Sequence, residues 1–160
     1  MKLAIISDTH RLLRPNLLPY LEKVDMVLHS GDIGSIKILS ELKEIVPTLA
    51  IKGNIDTKPW GKTLPDTVEK TIEGITIKMI HDPASIPESW FSDGTGIIVY
   101  GHTHKPLATE KNGVLMLNPG SVGPRRFNLP ISFAILEINE KSFSYEFVEL
   151  EDVASPRIPE

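Results

Sequence analysis

The chain has no cysteine. That excludes disulfides and thiolate metal sites, and it suits a reducing cytoplasm, the compartment expected here. No apolar run approaches the ~18 residues needed to cross a bilayer, so no membrane span is expected. The opening MKLAIISDTH is apolar only briefly before an acid interrupts it, which reads as a strand of the mature fold rather than a signal peptide. Basic charge is not in excess. Seventeen Lys and Arg against 21 Asp and Glu leave a formal net charge of -4, which gives no footprint for a long nucleic-acid backbone. A small phosphate ester held by a metal stays compatible with that balance. Histidine is scarce, with five in 160 residues.

What is present is an ordinary globular composition, 41% hydrophobic and 24% charged. The length fits one domain, assigned to residues 1–150. The last ten residues, EDVASPRIPE (151–160), lack a periodic core face and are expected on the surface or frayed. KLAIIS (2–7), DMVLHS (25–30) and PTLAIKG (47–53) read as buried strands. Between them, residues 16–24 read as a short helix with Asn16 as cap and Pro19 in its first turn. GSIKILSELKEIV reads as an amphipathic helix with Ile36, Leu39, Leu42 and Lys43 on one stripe. Strand alternating with helix predicts βαβ units and a parallel sheet.

Later the pattern changes. Residues 57–66 read as a loop, and residues 84–92 as a short helix or irregular loop. TVEKTIEGITIKMIH reads as a hairpin turning at Glu73-Gly74, and a second hairpin turns at Asn112-Gly113. GIIVYG (96–101) is another buried strand, and ISFAILEI and SFSYEFVEL close the chain as two more. A parallel, helical first half and an antiparallel second half predict an α/β fold: a two-sheet α-β-β-α sandwich with mixed parallel and antiparallel strands.

Five strands end in polar clusters: Ser7-Asp8-Thr9-His10, His29-Ser30-Gly31-Asp32, Gly53-Asn54-Ile55-Asp56, His81-Asp82 and Gly101-His102-Thr103-His104. Ligands of open α/β sheets bind outside the carboxyl ends of the strands, so these clusters could share one crevice. All five histidines fall in these clusters; four read as candidate ligands, and His29 reads as a satisfied core histidine. Side chains at i and i+2 share a face of an extended backbone. On that basis Asp8 with His10, and His102 with His104, point together. Carboxylate, imidazole and amide donors without thiolate suit Mn, Fe, Zn or Ni. The donors are too many for one four-coordinate ion and divide between two, with Asp32 as the best bridge.

In order, Asp8-x-His10, Gly31-Asp32, Gly53-Asn54, His81 and Gly101-His102-Thr103-His104 resemble the calcineurin-like metallophosphoesterase superfamily. The resemblance runs from residue 2 to about residue 138 and includes Asn118-Pro119-Gly120-Ser121. The short length and the GNxD form look most like small YfcE-type phosphodiesterases, a branch that also holds the retromer small scaffold subunit. The resemblance implies a two-sheet sandwich with helices on both outer faces. It implies that Asp8, His10, Asp32 and His104 hold one divalent ion and Asp32, Asn54, His81 and His102 the other, Mn foremost, with Ni, Fe, Zn or Mg as alternatives. A hydroxide bridging the ions would attack a small phosphate ester, with Asn54 and Asp56 as the candidate catalytic residues. Asn54 would offer its amide to a phosphate oxygen, and Asp56 would orient a ligand or a bound water.

Two positions depart from the pattern. Many relatives carry a histidine where this chain has Ile55, and it protonates the leaving oxygen; here no general acid is visible. Asp82-Pro83 stands where many relatives have glycine, bringing another acid near the metals. Arg125 and Arg126 are either phosphate contacts or a solvated surface pair. Trp60 and Trp90 either line a substrate face or pack in the core. The rival reading is a metal-binding scaffold that recruits protein partners, and His81, which the scaffold branch lacks, favours the enzyme. A nucleic-acid exonuclease is disfavoured by the acidic balance. The late hairpins offer an edge for a homodimer or homotetramer.

Overall fold

The computed structural model describes residues 1–159. Its ten strands are β1 (Lys2–Ile6), β2 (Met26–His29), β3 (Thr48–Ala50), β4 (Thr67–Ile72), β5 (Ile75–Ile80), β6 (Ile97–Val99), β7 (Leu107–Lys111), β8 (Val114–Asn118), β9 (Ile131–Asn139) and β10 (Ser142–Leu150). Three α-helices accompany them: α1 (Leu18–Leu21), α2 (Ile36–Ile45) and α3 (Pro59–Lys62). Two five-stranded sheets form, in the orders β10-β9-β1-β2-β3 and β4-β5-β6-β8-β7.

KLAII has no polar alternation because both of its faces are covered. Ala4 and Ile6 pack with Leu17, Leu21, Ile38 and Leu42 beneath α1 and α2. Leu3 and Ile5 face the other way and meet Ile77, Met79, Ile97 and Leu117 of the second sheet. The expected division by chain halves is not what forms. The antiparallel pair β9–β10 joins β1 in the first sheet, while β5, β6 and β8 pair in parallel within the second. Each sheet is therefore mixed. Parallel neighbours need a crossover, and residues 81–96 supply one between β5 and β6. That crossover is the expected short helix or loop, realised as two 3₁₀ turns, Pro83–Ser85 and Glu88–Phe91. Phe91, with Ile86 and Trp90, packs on Ile98 and Val114. Hence α-helices cover the outer face of one sheet, and 3₁₀ turns do that work on the other.

Glu73-Gly74 and Asn112-Gly113 both turn with positive φ at each central residue, the geometry that two-residue hairpins favour. In α2 the buried residues are Ile38, Leu39 and Leu42, Ile36 is exposed, and Ser35 caps the helix by accepting from the Lys37 N–H. Asn16 caps nothing; its amide donates to the Glu151 carbonyl. A short helix, α3, replaces part of the loop expected at 57–66.

Arg14 is 2% exposed and holds three segments together. Its Nε donates to the Val122 carbonyl at 3.0 Å, its Nη2 to Gly123 at 2.9 Å, and its Nη1 to Asp152 at 3.0 Å. The 151–159 tail thus lies on the surface but is tied back, with further bonds from the Ile158 N–H to Arg11 and from the Ser35 hydroxyl to Pro159. Arg14→Met keeps the stem and strands two buried carbonyls, at about 1–3 kcal/mol each. Denaturant unfolding should show a loss of about 2–4 kcal/mol, and a loss below about 0.5 kcal/mol would contradict the assigned bonding.

Candidate metal centre

The parallel strands β1, β2 and β3 of one sheet, and β5 and β6 of the other, deliver their carboxyl ends to one rim. Close backbone approach makes the convergence possible. A Cβ on Gly53 would collide with the Asp32 backbone N and Oδ1, and one on Gly101 would collide with the Ser7 hydroxyl. Both sites need glycine for space, not for φ. The Ser121 hydroxyl, from the Asn-Pro-Gly-Ser loop, donates to the Asp8 carbonyl at 3.0 Å. Asn118 donates to the Gly101 carbonyl and to the Thr103 hydroxyl, which fixes the loop carrying His102 and His104.

The candidate ligands fall into two groups, Asp8 with His10 and His104, and Asp32 with His81 and His102. His102 and His104 therefore do not aim together. His102 is exposed and faces Asn54, its Nδ1 3.2 Å from Asn54 Oδ1, while His104 is buried beside Asp8. The reason is the backbone. Asp8, His10, Asp32, His102 and His104 all have positive φ, between 45° and 73°, so none of them is extended. The i and i+2 rule does not apply to left-handed residues. Asp and His tolerate this region better than most side chains, and such strain gathers where a site is over-determined by its surroundings.

Asp32 Oδ2 lies between the groups, 3.2 Å from His81 Nε2 and 3.7 Å from His10 Nε2. Its other oxygen accepts the Ile55 N–H at 3.0 Å. Asp32 can thus bridge, but through one oxygen rather than two. Asp8 Oδ1 is 3.4 Å from His104 Nε2, 3.8 Å from His10 Nε2 and 3.9 Å from His81 Nε2. It is buried and has no hydrogen-bond partner among the described residues. Donors each about 2.1 Å from a shared ion stand roughly 3–3.5 Å apart, so this spacing suits a cation better than direct bonds. The donor set and the orphaned oxygen both fit divalent ions.

Electrostatics agree. Burial disfavours the Asp8 charge, yet the imidazoles of His10, His104 and His81 outweigh it and hold the carboxyl well below the usual range. Asp32 is likewise lowered, with His81 overcoming the cost of burial. Burial pulls His81 down, but the carboxylates of Asp32 and Asp8 raise it above its ordinary value. His81 Nδ1 donates to the Ser30 carbonyl at 2.7 Å, which turns Nε2 towards Asp32 and towards Asn54 Oδ1, 3.0 Å away. A second hydrogen bond of this kind is what fixes the tautomer of a metal-binding histidine.

The supporting residues are now placed. Asp56 is buried, and its oxygens accept the N–H groups of Ile33, Gly34 and Gly53, which welds the Asp32 loop to the Asn54 loop. His29 is a satisfied buried histidine, as expected. Its Nδ1 accepts the Gly31 N–H, so Nε2 donates to the Thr9 hydroxyl. Burial pushes its pKa down to about 4. Asp82, expected as an acid near the metals, accepts the Ala84 N–H and caps a 3₁₀ turn. Arg125 donates to the Leu129 carbonyl and lines a separate surface hollow with Glu149 and Asp152. Trp90 packs on the outer face of the second sheet under Lys78. The cations that do stand beside the centre are Arg11, Lys58 and Arg157, around a cavity shared with His10, Ile55 and Trp60. Reading the sequence missed all three. Arg11 had a signal, its place directly after Asp8-Thr9-His10; Arg157, in an aperiodic tail, had none.

Known proteins similar to this chain agree in kind. A probable metallophosphoesterase of Methanothermobacter thermautotrophicus is 29% identical, covering 92% of each chain. A phosphodiesterase of Methanocaldococcus jannaschii is 28% identical over 89% of this chain and 96% of its own. Among solved structures, Vps29 of Entamoeba histolytica complexed with zinc superposes with a TM-score of 0.80 at 24% identity, covering 98% of this chain and 96% of that one, which speaks to the fold alone. The calcineurin-like phosphoesterase superfamily domain matches residues 1–141, the stretch that carries every candidate ligand in both groups, and the chain belongs to that superfamily.

Proposed function

We propose that the protein is a metal-dependent phosphodiesterase that hydrolyses a small phosphate ester at a two-ion centre. The single observation that carries this reading is the pairing of two three-residue donor groups with Asp32 Oδ2 between them. When bound, two divalent ions, Mn foremost, would neutralise phosphoryl oxygens and bring the pKa of a water near neutrality.

The chain's own residues do the rest. Asp8 and Asp32 stay ionised in a buried setting because imidazoles surround them. The Ser30 carbonyl holds His81 in the tautomer that presents Nε2. Asn54 turns Oδ1 towards His81 and His102, so its NH₂ is the donor left for a phosphate oxygen of an incoming ester. Asp56 is a positioning residue: it touches only backbone and keeps Asn54 and Asp32 in register.

A scaffold reading draws support from the Vps29 likeness, and the zinc in that structure means metal occupancy does not separate the two. Hydrolysis does. Purified protein should hydrolyse bis(p-nitrophenyl) phosphate with Mn, stop on addition of EDTA, and recover with excess metal. No turnover with Mn, Ni, Fe, Zn or Mg would overturn the enzyme and favour the scaffold.

A further inference from the structure

Among the described residues four strands form sheet edges, and β10 differs from the other three. β3, β7 and β4 run three, five and six residues, and β4 and β7 each carry a lysine. β10 runs nine residues, SFSYEFVEL, with neither lysine nor proline. Its register with β9 is unbroken from Ser142 to Leu150, so no bulge bends it away. Short length, lysine, proline and bulges keep an edge from pairing with another chain, and β10 uses none of them. Phe143, Tyr145 and Phe147 stand opposite Ile138, Leu136 and Ala134, which all belong to the core between the sheets. The three aromatics therefore share the inner face, yet they stay 37%, 42% and 40% exposed. A hollow between the sheets, lined by Phe143 and Tyr145 and by Ala108 and Leu115 across from them, leaves them uncovered. The outer backbone of β10 is open too. Ile138 spends both its N–H and its C=O on Met1. Its β10 neighbour Phe143 therefore points its own amide groups away from β9, and the alternation of an antiparallel ladder carries this to Tyr145 and Phe147.

We propose that β10 is a dimer seam, paired antiparallel with β10 of a second copy about a two-fold axis at Tyr145. Outward amides can meet in three registers near the middle of the strand. An axis at Glu146 sets that acid against its own copy, and an axis at Ser144 sets Phe147 against Lys141. The axis at Tyr145 sets Phe143 against Phe147, Tyr145 against Tyr145, and Glu149 against Lys141 of the copy. Aromatics then meet aromatics, and opposite charges meet at both ends, the pairs that stabilise neighbouring strands. Among the described residues neither Glu149 nor Lys141 has an ion-pair partner in its own chain. Residues 141–149 are thus complementary to themselves, as an interface of two identical patches must be. A strand from another protein would find the open amides but not this match of side chains. Six aromatic side chains of about 200 Å² each, roughly two-fifths exposed, give up about 500 Å² between them, and the paired strands add to it, an area in the class of weak to moderate association. The seam is independent of what the metal centre does.

Sedimentation velocity on the purified full chain at about 50 μM should show a dimer, since an interface of this area supports micromolar affinity. Tyr145→Glu, a change on an exposed side chain, should weaken association at least about thirtyfold, because both copies lose the central aromatic and gain a like charge on the axis. Circular dichroism should show this variant folded as the parent is. The register has its own test, because the chain has no cysteine. Residues opposed in a hydrogen-bonded antiparallel pair stand about 5.5 Å apart at Cα, within disulfide range. Mild oxidation should therefore link Tyr145→Cys chains into a dimer on a non-reducing gel. Ser144→Cys and Glu146→Cys place their two thiols on residues roughly 8 Å apart and should stay unlinked. A monomer at the stated concentration, which would leave β10 to a strand of some other protein, overturns the seam. So does a dimer that Tyr145→Glu leaves intact, or stronger cross-linking at position 144 or 146 than at 145.

Discussion

Asp32→Asn should lower turnover of a model diester by at least about a thousandfold while the protein stays folded. Asparagine keeps an oxygen for the Ile55 N–H, the bond that Asp32 Oδ1 accepts at 3.0 Å. Asp56 also holds the neighbouring loops, through three bonds that the substitution does not touch. What asparagine cannot do is place a negative oxygen between His10 and His81, the position of Oδ2. Losing several kcal/mol of charge stabilisation is worth about three powers of ten, at 1.36 kcal/mol each. Circular dichroism and unfolding should match the parent within about 1 kcal/mol. A folded variant with near-parental turnover would mean that Asp32 is no bridge.

Ile55→His should raise activity on esters with poor leaving groups by about 10² or more and leave aryl esters nearly unchanged. Ile55 is 40% exposed, beside Asn54 and on the wall of the cavity that His10 shares. Its backbone bond to Asp32 does not depend on the side chain. A histidine there could protonate a departing alkoxide, a contribution typically worth 10²–10⁴, whereas p-nitrophenolate leaves without help. The gain should fade as pH rises past the ordinary histidine value near 6.5. Comparing kcat/KM for an alkyl and a p-nitrophenyl diester across pH tests this. Equal changes in both would show that position 55 does not face the leaving group.

The gathering of the candidate donors was legible because their residues are rare types at strand ends, where chain direction and sheet order force convergence. Its geometry was not. Asp8, His10, Asp32, His102 and His104 turn left-handed, which no signal in the local sequence announces. The division of His102 from His104 follows from that, and no extended-strand rule could give it. The two hairpins were legible because Glu73-Gly74 and Asn112-Gly113 decide their turns locally. The placement of β9 and β10 against β1 was hidden, since pairing over more than a hundred positions leaves no local trace. Asp82 was expected only as another acid near the metals, and its role as the cap of a 3₁₀ turn depends on how the following Pro83 turns the chain. Arg125 and Arg126 drew attention as a pair, yet Arg125 faces Leu129. The tail that carries Arg157 has no periodicity, and the bonds of Arg14, Asn16, Ser35 and Ile158 show where it runs.

The most direct test of the central claim is an anomalous difference map from a crystal of this protein soaked in manganese chloride. Two peaks roughly 3.5–4 Å apart are predicted, one against Asp8, His10 and His104 and one against Asp32, His81 and His102. A single peak, or none at this rim, would contradict the two-ion centre.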